Sequence, residues 1–295
     1  MPRMMDDESP LAHWAHLCTT DVAALDPART VAVLPVAATE QHGPHLPLSV
    51  DSDLLEGILA RTRLPAEAPI YRLPSLPVGL SPEHAAFEGT LNLQASTALA
   101  LWGDVAASVA RSGVRKLVIF NTHGGHTGLM DVAAREWRLR HGLLVYSISW
   151  FNLPLRDLYG EDVMATVSPH EQRFGVHAGQ VETAMMLALH PERVRMDRAA
   201  TFESSSERRA QACPILGNGR SAKMAWAIQD YHPSGAVGDA AAATADLGHA
   251  LLDAAAQALG QALLEVSSLP LGTVQSGPLD RPLGDSSAQT GMRDM

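Results

Sequence analysis

Four short apolar runs decide what this chain can become: residues 31–37 (VAVLPVA), 69–73 (PIYRL), 116–120 (KLVIF) and 143–149 (LLVYSIS). Each has the length of a buried strand. Helical patterns lie between and after them at 52–63, 95–112, 127–140, 179–190 and, rich in alanine, 239–265. Strands alternating with helices predict an α/β layer structure around a mainly parallel central sheet flanked by helices. No internal repeat and no linker interrupt the sequence before its end, so a single domain is expected over residues 1–270. Residues 271–295, rich in Gly, Ser, Pro and Asp, have little to bury and are expected to form a mobile tail.

Hydrophobic residues make up 46% of the chain and charged ones 18%, enough for a substantial core and too apolar for global disorder. A net charge of −10 argues against nucleic-acid and anionic-membrane partners, which call for clustered Lys and Arg. No stretch approaches the roughly eighteen consecutive apolar residues of a membrane span. The acidic start MPRMMDDESP has no signal-type apolar segment. Cys18 and Cys213 are far apart and outside any CxxC pattern, so no disulfide framework is expected and a cytoplasmic location fits.

In parallel α/β sheets, ligands collect outside the carboxyl ends of the strands, where neighbouring loops converge. The two loops richest in chemistry sit there: TEQHGPH (39–45) follows the run 31–37, and NTHGGHTG (121–128) follows 116–120. In the first, Glu40 and His42 are two residues apart, which puts their side chains on one side if strand geometry persists. Gly43-Pro44 then turns the chain, and Asp51 precedes a helical pattern, where it could cap the helix or bind a cation. In the second, His123 stands between Asn121 and the pair Gly124-Gly125. Glycines there suit a loop wrapped around a bound species, and equally an ordinary Gly-rich turn. A third piece, HAGQVET (177–183), opens a helical pattern, with His177 at or before its start. Glu182 sits among Val181, Met185 and Met186, a costly place for a carboxylate unless it is paired, bound to a cation, or at a partly exposed helix edge.

Together Glu40, His42, Asp51, His123 and Glu182 are three carboxylates and two imidazoles. Such a mixed oxygen and nitrogen set suits zinc, manganese or iron rather than calcium. Three carboxylates and a bridging hydroxide balance the charge of two divalent ions, and a two-metal site generates that hydroxide near neutral pH. Two divalent metal ions per chain are therefore expected.

The segments VLPVAATEQHGPHLPLSVDSDL, SPEHAAFEGTLNL, NTHGGHTG and HAGQVETAMMLALHPERV resemble, in order and spacing, the motifs of the creatininase (creatinine amidohydrolase) family. The resemblance implies a three-layer α/β domain assembled as a homo-oligomer, a hexamer in many members. It also implies a binuclear site, with one ion on Glu40, Asp51 and His123, the other on His42, Asp51 and Glu182, and Asp51 bridging. His177 matches the family's proton donor or acceptor beside the scissile bond. The chain departs from the pattern at three positions. Creatininase itself carries a second-metal Glu where this chain has Gly125, and a tryptophan stacked on the creatinine ring where this chain has Arg173. Other branches end the loop in Asn where this chain has His126. The missing tryptophan counts against creatinine as substrate, while Glu182 can still serve the second ion.

His45, Glu83, His126, Trp150 and Arg173 are candidates for contacts around the ligands or the substrate. His45 could orient a ligand carboxylate or pack on Pro47. Glu83 and His84 shape the Ser81-Pro82 turn or face the reaction. Trp150 and Phe151 form an apolar wall of the pocket or belong to the core. The expected activity is hydrolysis of a C–N bond in a small amide, cyclic or open, by a metal-bound hydroxide, with His177 protonating the leaving nitrogen. The family also allows a peptidase acting on a short peptide, as in mycofactocin maturation, or a formamide deformylase. A metal-binding scaffold without turnover is the alternative of another class, though it would leave a proton carrier at His177 idle.

Overall fold

The computed structural model describes residues 8–275 and residue 277. Its strands are β1 (Glu8–Pro10), β2 (Ala12–His13), β3 (Val31–Val36), β4 (Arg63–Pro65), β5 (Ile70–Arg72), β6 (Lys116–Asn121), β7 (Leu144–Ser149), β8 (Thr201–Phe202) and β9 (Gly238–Asp239). Its α-helices are α1 (Thr19–Ala23), α2 (Val50–Arg61), α3 (Ala95–Arg111), α4 (Thr127–His141), α5 (Pro169–Phe174), α6 (Gln180–Leu189), α7 (Ser206–Ala212) and α8 (Ala245–Ser268).

The central sheet has the order β2-β5-β3-β6-β7, and every pairing in it is parallel. Successive side chains of a strand point to opposite faces, and β3 and β6 are buried along their whole length because both faces are covered. Val31, Val33, Val118 and Phe120 face one core, built with the apolar sides of α2, α6 and α8. Ala32, Leu34, Val36, Leu117 and Ile119 face the other, where Trp102 of α3 and Trp137 of α4 close the layer. The result is the expected three-layer α/β fold. Lys116 is buried in β6, and its ammonium donates to the carbonyls of Ser267 and Leu269, each at 2.6 Å, tying the sheet to the C-terminal end of α8.

Three expectations about elements shift. β2, two exposed residues long, adds an edge strand that no apolar run announced. The alanine-rich helix begins at Ala245 rather than 239, because Gly238 (φ 134°) and Asp239 pair with β8 and Thr244 caps the helix by accepting from the Leu247 N–H at 3.3 Å. Within the expected tail, Leu271–Thr273 forms a 3-10 turn and the Gln275 carbonyl accepts from the Arg138 guanidinium. Residue 276 and residues 278–295, the rest of that tail, lie outside the described residues. Among the described residues no helix is long and apolar enough to cross a membrane.

Candidate metal centre

The end of β3 at Val36 lies opposite the end of β6 at Asn121, so the loops after these two strands leave the sheet side by side. From them come Glu40, His42 and His123, and from the first turn of α2 comes Asp51; all four are at most 2% exposed. His177, 8% exposed, precedes α6, and Glu182 stands in the first turn of that helix. Strand geometry does not bring Glu40 and His42 together, since β3 stops at Val36. A local bond does so instead: the His42 Nδ1–H donates to the Glu40 carbonyl at 3.1 Å. Asp51 does not cap its helix either. Ser49 is the residue ahead of α2, and the Asp51 backbone carbonyl accepts from the Thr122 hydroxyl at 2.7 Å, leaving the carboxylate turned inward.

The hydrogen bonds assign which ring nitrogen of each histidine carries the proton. With Nδ1 of His42 donating, its Nε2 presents a lone pair, and this atom lies 3.7 Å from Asp51 Oδ1 and 4.0 Å from Glu182 Oε2. His123 Nε2–H donates to the Leu80 carbonyl at 2.9 Å, so its Nδ1 presents the lone pair. That atom lies 3.2 Å from Glu40 Oε1 and 3.5 Å from Asp51 Oδ2. Asp51 therefore gives one oxygen to each imidazole–carboxylate group. Both Glu40 oxygens, His42 Nε2 and Asp51 Oδ2 are buried without a hydrogen-bond partner among the described residues. Buried polar atoms of this kind are costly unless something binds them.

Donors about 2.0–2.2 Å from a tetrahedral cation stand about 3.4 Å from one another. The separations of 3.2–4.0 Å between lone pairs and carboxylates match that spacing. The donor set fits divalent cations. Burial raises the Asp51 pKa, with the Glu40 charge adding to it, and holds that carboxyl well above its ordinary range. Burial opposes ionisation of Glu40 too, but His123, His84 and His177 around it win and hold its pKa well below the ordinary range. For His123, burial is outweighed by Glu40 and Asp51, which push its pKa well above 6.5. Positive charge is what this cluster lacks, as a proton or as a cation.

His84, for which the sequence left open shaping a turn or facing the reaction, belongs to the same cluster. The Gly43 N–H can only donate, so it faces Gln41 Oε1 (2.9 Å), and the Gln41 amide nitrogen donates to His84 Nδ1 at 2.7 Å and to the Gly235 carbonyl at 2.9 Å. His84 thus turns its Nε2–H toward Glu40 Oε1, 3.4 Å away. Burial, with His177 next, lowers its pKa to about 3 and keeps it neutral. The SPEH segment carried the available signal: two polar residues after a Ser-Pro turn, the same chemistry as the other loops. The His177 ring lies between those of His42 and His84, with centroids 4.1 and 4.2 Å away. Its Nε2–H donates to the Gln41 carbonyl at 2.7 Å, so its free nitrogen is Nδ1, 4.0 Å from Glu40 Oε1. His177 also comes within ligand-like distance of two groups, with Glu40 and His84 and with His42 and Glu182. Ala178, which follows it, is held at φ 53°, a left-handed conformation unusual for alanine, while its N–H donates to Glu182 Oε2 at 2.6 Å.

The remaining candidates divide. Glu83 reaches the cluster: its Oε1 is 3.7 Å from His123 Nε2 and fills the space above Gly125. Trp150 and Phe151 line the cavity over the centre, and Trp150, 4% exposed, also belongs to the core. His45 bonds the Thr183 hydroxyl at 2.9 Å and packs on Phe202, so it reaches no ligand carboxylate. His126 is fully buried. Its Nδ1–H donates to Asn121 Oδ1 (3.0 Å) and its Nε2 accepts from the Leu80 N–H (3.1 Å), which uses both nitrogens to brace the loop that seats His123. Arg173 is exposed on α5 with its guanidinium over Phe174, and the cavity lining passes it by. The cavity itself encloses about 680 Å³, lined by members of the charged cluster and by Trp150, Phe151, Leu153, Met224 and Trp226 among its apolar walls.

The family model described as creatinine amidohydrolase matches residues 15–263. The chain is 33% identical over 175 residues to the mycofactocin precursor peptide peptidase of Mycobacterium tuberculosis, a match covering 56% of this chain and 61% of that relative's length. It is 29% identical over 184 residues to the creatinine amidohydrolase of Pseudomonas putida, covering 57% of this chain and 67% of the relative. The fold superposes on a solved manganese form of creatininase with a TM-score of 0.65 at 24% identity, covering 88% of this chain and all of the other.

Proposed function

The chain belongs to the creatininase family, and from that premise we propose that it is a hydrolase of C–N bonds that works with two divalent cations. The observation that carries this reading is the geometry of Asp51, whose two oxygens face two different imidazoles, 3.7 and 3.5 Å away. In this reading Glu40, Asp51 and His123 hold one ion, and His42, Asp51 and Glu182 the other. Manganese, zinc or iron suits the donors, and the superposing creatininases include a manganese form and a zinc form. When bound, two such ions polarise a carbonyl and lower the pKa of water.

The chain's own residues supply the rest. His177 is oriented by the Gln41 carbonyl and clamped between two rings, so only its Nδ1 can take or give a proton at the reacting amide. Glu83 stands at the side of His123 and adds a carboxylate near the reacting end. Apolar walls exclude water from the bound amide, which strengthens every polar interaction on the cavity floor. The substrate in this reading is a small amide. A second reading, a peptidase acting on a short peptide, is favoured by the cavity of about 680 Å³, which is ample for more than a small ring. Assembly into a homo-oligomer belongs to the same family-based reading.

The test is reconstitution. Protein stripped with a chelator and reloaded with manganese or zinc is offered cyclic amides, formamides and short peptides. Hydrolysis that appears with metal and disappears with chelator is the expected result. Metal uptake without turnover of any class would favour the scaffold alternative.

A further inference from the structure

Of the chain's 22 lysine and arginine residues, only two are lysines: Lys116 and Lys223. Lys116 is buried and spends its ammonium on two carbonyls at the end of α8. Lys223 is exposed and lines the cavity over the candidate metal centre. Among the described residues its ammonium makes no hydrogen bond or ion pair. Arg156, the other basic side chain of the lining, donates to the Gly160 carbonyl of its own loop at 2.8 Å. Arg156 and Lys223 are thus the Lys and Arg cations of a cavity whose lining also holds Glu40, Asp51, Glu83 and Glu182, in a protein of net charge −10, and of the two Lys223 is the one with no polar partner among the described residues.

Lys223 opens a short lip, Lys223–Trp226, whose remaining residues are apolar. Met224 is 43% exposed and lines the cavity, as does Trp226. The lip is anchored at its far end. The Trp226 ring packs edge-on against Tyr231 at 5.1 Å, Arg209 covers Tyr231 at 4.9 Å, and Asp230 accepts from the Ala227 N–H at 2.8 Å. An apolar wall next to a free ammonium recognises a molecule with an apolar body and an anionic end.

We propose that Lys223 and Trp226 form a specificity-determining lip that binds the far end of the substrate, an amide carrying a carboxylate beyond an apolar spacer. This rests on the hydrolase reading only for the word substrate. The carboxylate recognised is that of a peptide C-terminus or of a small amido acid, because the ammonium meets the same group in both. An anion approaching this protein meets a repulsive field, and the exposed Lys223 ammonium gives it a place to dock with its amide turned to the charged cluster.

Binding tests the lip without needing turnover. Metal-reconstituted protein is titrated, by tryptophan fluorescence or calorimetry, with N-acetyl-Leu-Phe against its C-terminal amide, and with adipamic acid against adipamide. Wild type is expected to bind the acid of at least one pair roughly two- to fivefold more tightly than its neutral partner, the size of one solvent-exposed ion pair. The pair that shows the preference identifies the source of the carboxylate. Lys223→Met should abolish the preference with metal content unchanged, Lys223→Arg should keep most of it, and Trp226→Ala should weaken acid and amide alike. Equal binding of acid and amide by wild type overturns the lip. So does a preference that survives in Lys223→Met, since the carboxylate would then be held elsewhere, by Arg156 or by the metal centre. Hydrolysis without any acid preference would sink the lip and leave the hydrolase reading standing; preference without hydrolysis would do the reverse.

Discussion

One methyl group at Gly125 probes the seat of His123. A Cβ there would lie 2.1 Å from Glu83 Oε1 and 2.4 Å from His123 Nε2, where ordinary contact begins at 3.4 Å. Each neighbour has to give way by about 1 Å or more. Glu83 can do so cheaply, because its carboxylate ends a flexible side chain. His123 cannot: its Nε2–H donates to Leu80 at 2.9 Å, and its ring sits edge-on to His126 at 4.6 Å. Displacing the ring breaks the Leu80 bond and carries Nδ1 away from Glu40 and Asp51. Loss of such a supporting bond costs about 10- to 100-fold in metal affinity or activity, and crowding a packed site adds about 1–3 kcal/mol of destabilisation. At roughly 2–4 °C per kcal/mol, Gly125→Ala should melt several degrees lower and bind metal at least about tenfold more weakly. Thermal unfolding and metal titration measure both. In Glu83→Ala/Gly125→Ala the carboxylate clash is gone while the His123 clash remains, so the metal defect should persist. Wild-type metal affinity in Gly125→Ala would refute the reasoning, because the seat of His123 would then be irrelevant to the ion.

Two further perturbations separate roles. His177→Ala should retain metal while activity falls by about 10²- to 10⁴-fold, whereas Glu182→Ala should lose metal and recover activity in excess cation; a metal-depleted His177→Ala rescued by added cation would make His177 a ligand. His45 tests the pH response of the fold. Burial, and then the nearby His177, lower its folded-state pKa to about 4 from 6.5, so the unfolded chain takes up its proton first as pH falls. The stability from neutral His45 is complete above pH 6.5 and is lost between there and pH 4, by up to about 1.4 kcal/mol per pH unit. Urea unfolding at pH 7 and 4.5 should show a smaller loss for His45→Gln than for wild type, and equal losses would contradict the assignment.

The layers were legible because the central strands bury both faces: Val31–Val36 and Lys116–Asn121 read as continuous apolar runs, and the helices between them could only be crossovers. β2 was not legible, since two exposed residues on an edge carry no pattern. Alanine marked the last helix but not its phase, so its start at Ala245 depended on the Thr244 cap and the β8–β9 pairing. Glu40, His42, Asp51 and His123 were readable as a group because each stands where a strand ends or a helix begins. His84 could not be assigned between turn and site because what brings it in is a long-range bond to Gln41, 43 residues away in sequence. His126 and Arg173 look alike on paper, as polar departures from a family pattern. Only packing tells them apart: Asn121 and Leu80 absorb both nitrogens of His126, and α5 turns Arg173 outward over Phe174.

The central claim is that Asp51 serves two cations, one on each oxygen. An anomalous-difference map from crystals of the manganese-reconstituted protein tests it directly. The account predicts two peaks per chain flanking the Asp51 carboxylate, one beside His123 and Glu40, the other beside His42 and Glu182. A single peak, or two peaks that do not share Asp51, would contradict it.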